Sequence, residues 1–199
     1  MAAAAAAAAA ALKVTFPGMP DVTARLFLYT GVSQGTKLQN DIRSGKAEQH
    51  LIPEVSRRDH LAVAFLDARR VVGITALQAA VHKAVVDQRR NALVTRSLAS
   101  EVLCNLSGTK QVVQSFAEFG VRQDSEDVLV CVLNLNGVEV EGFDERLHEL
   151  VGGTPRGSVW DVVKVDEARL RKWYKITDEE AKLSSLDVCA CCRIACRDL

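Results

Sequence analysis

The chain has 199 residues and is 48% hydrophobic, which suits a folded domain with a real core and excludes wholesale disorder. Lysine plus arginine equals 25, as does aspartate plus glutamate, and this zero net charge argues against autonomous, non-specific nucleic-acid binding while leaving room for a local basic patch. No apolar, charge-free stretch long enough to cross a bilayer exists outside a weakly apolar alanine tract, and six cysteines without a secretory signal point to reduced thiols.

The tract Ala2–Ala11 lacks both a basic leader and a bulky apolar segment, so residues 1–20 read as a low-complexity tail and 21–199 as the domain. Pro17-Gly18 is a turn signal, and Val22–Tyr29 is the first predicted strand. A short helix is expected over Thr36–Ser44, ending near Gly45. Lys46–Asp59 is polar and holds Pro53, and reads as a loop or insertion. Leu61–Ala68 is a second strand candidate.

Over Thr75–Asp87, Ala76, Leu77, Ala80, Val81, Ala84 and Val85 recur at helical spacing. Ser97–Leu106 repeats the pattern with Leu98, Val102, Leu103 and Leu106, and Gly108 stands where a helix would stop. A third helix, Lys110–Phe119, would turn Val112, Val113, Phe116 and Phe119 inward. The unbroken apolar run Val128–Leu135 predicts a strand buried on both faces. Asn136-Gly137 then signals either a hairpin into Val138 and Val140 or a loop into the next helix, Phe143–Val151, which stops at Gly152-Gly153. Asp166–Tyr174 is another short helix. The last helix opens on Thr177-Asp178-Glu179-Glu180, which has capping-box spacing, and carries Leu183, Leu186, Ala190 and Ile194 on one face. Few strands and many helices give an α/β (α+β) single domain with a small central sheet covered by several helices.

Motifs for chemistry are mostly missing. There is no Gly-x-x-x-x-Gly-Lys-Ser/Thr loop, and the glycine-rich stretch Gly152–Ser158 lacks that loop's lysine and reads as a turn. No His-Glu-x-x-His, nucleophile elbow or kinase signature occurs. Cys189 and Cys192 form a Cys-x-x-Cys pair, with Cys191 and Cys196 nearby, which could serve metal or redox chemistry. On one continuous helix the four would point in different directions, so no metal, cofactor or catalytic residue is assigned. His50, His60, His82 and His148 have no partner at ligand spacing. His82, Lys83, Arg89, Arg90 and Arg96 flank the junction of two helices, as a phosphate-binding patch or an ordinary solvated face.

The block Thr95-Arg96-Ser97-Leu98-Ala99-Ser100-Glu101-Val102-Leu103-Cys104-Asn105-Leu106-Ser107 closely resembles the Thr-Arg-Ser/Thr-Leu-x-x-Glu-Ile-x-x-Asn-Leu-Ser block of the CGI-type family of PRPK-binding proteins, small subunits of the KEOPS/EKC tRNA-modification complex. Ala79–Ala84, Phe116–Val121, Trp173–Ile176 and Cys192–Leu199 resemble further family segments in the expected order. The departures are the longer Lys46–Asp59 loop, the alanine tail, and Gly73, where relatives often carry aspartate.

The resemblance implies a non-catalytic subunit without cofactor, and the reduced cysteines point to cytoplasm and nucleus. It would bind a PRPK-type kinase/ATPase and, through the complex, work with the Kae/OSGEP-type transferase. It would also help capture the CCA end of tRNA for threonylcarbamoyl-adenosine formation next to the anticodon. Lys83 and Arg96 are then expected to contact tRNA phosphates, and Asn105 to make a polar edge contact. The competing readings are a salt bridge from Arg96 to Glu101 or Glu118, and a helix cap for Asn105. The kinase interface is expected on the last helix and the helix before it, with Leu186, Ile194 and Leu199 supplying an apolar strip and core packing as the competing reading. A cysteine-based metal or redox protein and a stand-alone tRNA binder are the alternatives.

Overall fold

Strand β1 (Leu12–Phe16) turns at Pro17-Gly18, where Gly18 has φ +79°, and pairs back on β2 (Met19–Thr30). The coordinates are a computed structural model that describes residues 11–57, 60–157, 160 and 162–197. Ala2–Ala10, Asp59, Ser158, Asp198 and Leu199, on which sequence expectations fell, lie outside the described residues. The β1 strand falls within residues read as tail; its single basic residue and short length gave little periodic signal.

Three more strands complete an antiparallel sheet: β3 (Leu61–Asp67), β4 (Val128–Leu135) and β5 (Thr154–Arg156). The order is β1-β2-β4-β3, and β5 pairs with Leu28–Thr30 of β2, continuing the edge that β1 begins. β4 is thus central, which is why its run carries no polar alternation: Val128 through Leu133 are all buried. No strand forms at Val138 and Val140, just after Asn136-Gly137. Both residues are left-handed, at φ 66° and 68°, and the Asn134 side chain closes the turn onto Val138 N and O. The chain then enters a helix.

The chain divides into two compact units, each made of two stretches of sequence: up to Ala68 with Val121–Val163, and Arg69–Gly120 with Lys164–Leu199. The first is the sheet with α1 (Gly35–Arg43), α2 (Lys46–Leu51) and α6 (Phe143–Val151). Its core joins Phe27, Tyr29, Val63, Phe65, Val130 and Val132, from alternate positions of the sheet, to Leu38, Leu51, Phe143 and Leu147 from these helices. Lys46–Leu51 was expected as loop. The charged residues dominate its composition, but Ala47 and Leu51, one turn apart, are buried, and that pair seats a short helix.

The second unit is all helical: α3 (Ile74–Arg89), α4 (Leu98–Leu106), α5 (Val112–Phe119), α7 (Glu167–Trp173), α8 (Asp178–Leu183) and α9 (Leu186–Ala195). The six residues predicted for the inner face of α3 are the six that are buried there. Helices α4 and α9 pack along it. Two expectations are corrected. Val113 is 83% exposed, and Ser115, Glu118 and Phe119 are the buried residues of α5, because Glu118 turns inward to pair with Arg70 and Arg169. The final helix is two helices: α8 has its capping box at Thr177 and Glu180, and α9 starts afresh with Ser185 accepting from Val188 N. Leu183 is therefore 87% exposed rather than part of a buried stripe.

The N-cap of α3 is Gly73, which has no side chain to cap with. Its cap comes from α9 instead: Asp187 accepts from Thr75 N (3.0 Å) and Ala76 N (2.8 Å). The carboxylate also suits the positive end of the helix. A Cβ on residue 73 would lie 2.4 Å from Asp187 Cγ, so glycine is required by proximity and not by its extended backbone. Asp187→Ala should cost about 1 kcal/mol, the usual loss of a helix cap. Gly73→Ser in that background should restore most of it, whereas Gly73→Ala in the wild type should destabilise. Urea unfolding of the four proteins checks this.

Candidate functional site

Helix α9 carries only two charged residues, Asp187 and Arg193. Both are committed to partners within the helical unit. Asp187 caps α3, and Arg193 donates to Tyr174 O (3.1 Å) and to both carboxylate oxygens of Glu180 (2.7 and 2.9 Å). Ala190 and Ile194 are fully buried. What remains outward is Val188, Cys192 and Ala195, at positions i, i+4 and i+7, with Cys191 half-buried beside them. This outer strip is uncharged from end to end, and exposed Leu183 of α8 lies before it in the chain. An ordinary solvated helix would carry Lys or Glu there.

The sequence reading placed Leu186, Ile194 and Leu199 on an interface. Leu186 is half-buried, and Leu199 lies outside the described residues. Ile194 is wholly buried and belongs to the core of the helical unit, so a charge placed there would measure folding and not docking. The reading followed the apolar stripe at 183, 186, 190 and 194, of which Ala190 and Ile194 lie on the inner face. The outer strip was legible as three uncharged positions at helical spacing.

The second feature is the connection between α3 and α4. Residues 88–100 contain Arg89, Arg90 and Arg96 and no acid. All three arginines are exposed, as is His82. Lys83 is half-buried and pairs with Asp87 one turn on, at 3.4 Å. Arg96 makes no ion pair among the described residues. Glu101 is instead 0% exposed and bonds to Val94 N, Thr95 N and Thr95 Oγ1 of the loop itself, with Arg197 on its other side. Glu118 faces Arg70 and Arg169. The block that carried the family resemblance is thus a loop lock: Ser97 caps α4, and Glu101 ties the preceding turn down.

Asn105 is fully buried. Its Nδ2 donates to Ala80 O at 3.3 Å, which ties α4 to α3, and it is not at the surface to touch a ligand edge. The end of α4 is closed by two aromatic residues of the α7 region. Trp173 Nε1 donates to Ser107 O (2.8 Å), and the Tyr174 hydroxyl donates to Leu106 O. Burial raises the Tyr174 pKa, so that hydroxyl keeps its proton and stays a donor.

All six cysteines are free thiols, and no group of His, Cys, Asp or Glu among the described residues is arranged to hold a metal ion. Cys131 is fully buried and burial pushes its pKa up to about 12, and burial raises that of Cys104 as well. Cys192 and Cys196 are exposed. Alkylation of the native protein should therefore label Cys192 and Cys196 first, and Cys104 and Cys131 only on unfolding. Peptide mass spectrometry of time points reads this order.

Comparison with known proteins places these features in a family. The family model described as kinase binding protein CGI-121 matches residues 29–198. The EKC/KEOPS complex subunit TPRKB of Danio rerio is 32% identical over 137 residues, covering 68% of this chain and 77% of the relative. The EKC/KEOPS complex subunit cgi121 of Schizosaccharomyces pombe is 26% identical over 137 residues, covering 69% and 71%. The corresponding subunit of Aspergillus fumigatus is 23% identical over 167 residues, covering 82% of each chain. The match spans the loop lock, the central strand β4 and the last helix, and the chain belongs to the CGI-121 family of kinase-binding proteins.

Proposed function

We propose that this chain is a non-catalytic subunit of a KEOPS/EKC-type complex, which docks a PRPK-type kinase/ATPase on the outer strip of α9 and helps recruit tRNA with the Arg96 loop. The observation that carries the docking is the uncharged strip Val188, Cys192 and Ala195, left uncovered although the helix spends both its charges elsewhere. A surface of that kind marks a protein interface. A kinase partner is supported by the family's description, and the complex by relatives that are EKC/KEOPS subunits.

The tRNA role rests on the acid-free stretch with Arg89, Arg90 and Arg96, adjoining Lys83. Phosphate contacts need cations that are exposed and not already neutralised, and Arg96 meets both conditions. Asn105 supports this surface from below. In the complex the chain would act with the Kae/OSGEP-type transferase, in cytoplasm and nucleus, toward threonylcarbamoyl-adenosine in tRNA. With zero net charge, its tRNA affinity would depend on the complex.

Size-exclusion co-elution with the kinase tests the docking. Val188→Glu should weaken it by roughly 30-fold or more, as expected for an anchor near an interface centre, with the unfolding midpoint unchanged. Unimpaired binding would move the interface off α9. For tRNA, Arg96→Ala should weaken binding by the assembled complex and lower the slope of log K against log salt by roughly 0.7–0.9. An unchanged slope would remove Arg96 from the contact.

A further inference from the structure

The N–H groups of Leu93, Val94, Thr95 and Arg96 bond to no backbone carbonyl among the described residues. The loop is held instead by one buried side chain. Glu101 Oε2 accepts from Val94 N (3.0 Å), Thr95 N (2.9 Å) and Thr95 Oγ1 (2.8 Å). Its other oxygen, Oε1, makes no hydrogen bond and faces Arg197 Nη2 at 3.8 Å. The Glu101 and Arg197 side chains are 0% and 3% exposed. Water therefore screens this pair little, and neither charge can be displaced cheaply. Arg197 stands two residues beyond the end of α9, and its N–H still bonds to Ile194 O.

The end of α9 and the backbone immediately before Arg96 are thus gripped by opposite oxygens of one carboxylate. Thr95 adds rigidity, because its hydroxyl lies within hydrogen-bonding distance of both Glu101 Oε2 and Ser97 O, the carbonyl at the α4 cap. A shift of Arg197 changes what holds Glu101, and Glu101 is what holds Val94 and Thr95.

We propose that Glu101 is a positioning residue that couples the last helix to the Arg96 loop, so that protein docking on α9 and RNA binding at the loop change each other's affinity. This rests on the function proposed above, in which the two surfaces take a kinase and a tRNA. Linkage makes the effect reciprocal: the factor by which kinase changes tRNA affinity equals the factor by which tRNA changes kinase affinity. Asp187 ties the front of α9 to α3, and Ala190 and Ile194 bury its inner face up to the last turn, so Arg197 is the residue through which the end of α9 reaches Glu101.

The test uses the full chain. Hydrogen exchange of residues 92–97 is compared in wild type, Arg197→Gln, Arg197→Lys and Glu101→Gln, with Arg96→Ala as control. The Val94 and Thr95 amides should exchange roughly tenfold faster in Arg197→Gln and Glu101→Gln, should recover partly in Arg197→Lys, and should be unchanged in Arg96→Ala. If Glu101→Gln fails to fold, the Arg197 pair decides. Wild-type exchange in Arg197→Gln would overturn the proposal. The tRNA dissociation constant is then measured with and without saturating kinase. A change of roughly fivefold or more in wild type, abolished in Arg197→Gln, is the expected result, and no change in wild type overturns the coupling. If the wild type binds neither kinase nor tRNA, the functional reading falls, and the exchange data still decide whether Glu101 positions the loop.

Discussion

The seating of α9 on α3 is the contact on which the helical unit depends. Ala190 and Ile194 are lost entirely from solvent, and Asp187 reaches across to the two leading amides of α3. Apolar burial fixes the distance, and the carboxylate fixes the register along the helix axis, since it can cap only one turn. Once the helix is placed this way, rotation is settled too. Arg193 is committed to Glu180 and Tyr174 O, and the uncharged residues are left outward. The surface composition of α9 is thus a consequence of its internal duties, which is why the strip is continuous.

Much of this architecture is written locally. The six apolar positions of α3 recur at helical spacing and are its six buried residues, and the run from Val128 lacks alternation because β4 is flanked on both edges by β2 and β3. The α+β class and most helix ends follow from such patterns and from Gly108 and Gly152, both left-handed at φ 64° and 66°. What was not legible depends on partners far away in sequence. Glu118 turns inward because Arg70 and Arg169 await it, and this displaces Val113 to the surface. Ser185 divides an apparently continuous final helix through its own cap, a signal that was present but overshadowed by the apolar spacing across it.

The candidate site divides the same way. Arg96 is exposed, as its sequence context suggested, because Glu101 serves the loop backbone and leaves the guanidinium alone. Asn105 and Ile194 sit in the same segments that carry the family resemblance, yet both are buried. A motif preserves residues that hold a surface in place as readily as those that form it. Sequence position does not separate the two classes, and burial does. Gly73 makes the point from the other side: the missing cap of α3 is explained by a carboxylate supplied from α9.

That long-range cap has a consequence for synthesis on the ribosome. Asp187 lies 112 residues after Thr75, so α3 emerges without the group that completes its first turn. At ordinary elongation rates the wait is on the order of ten seconds. The sheet shares the delay, since β3 has no strand to pair with until β4 follows and takes its place beside β2. Both units are therefore left open at one side during translation and are closed by late segments. The nascent chain exposes the β3 edge and the apolar face of α3 for that interval, and these are the surfaces that a chaperone would have to shield.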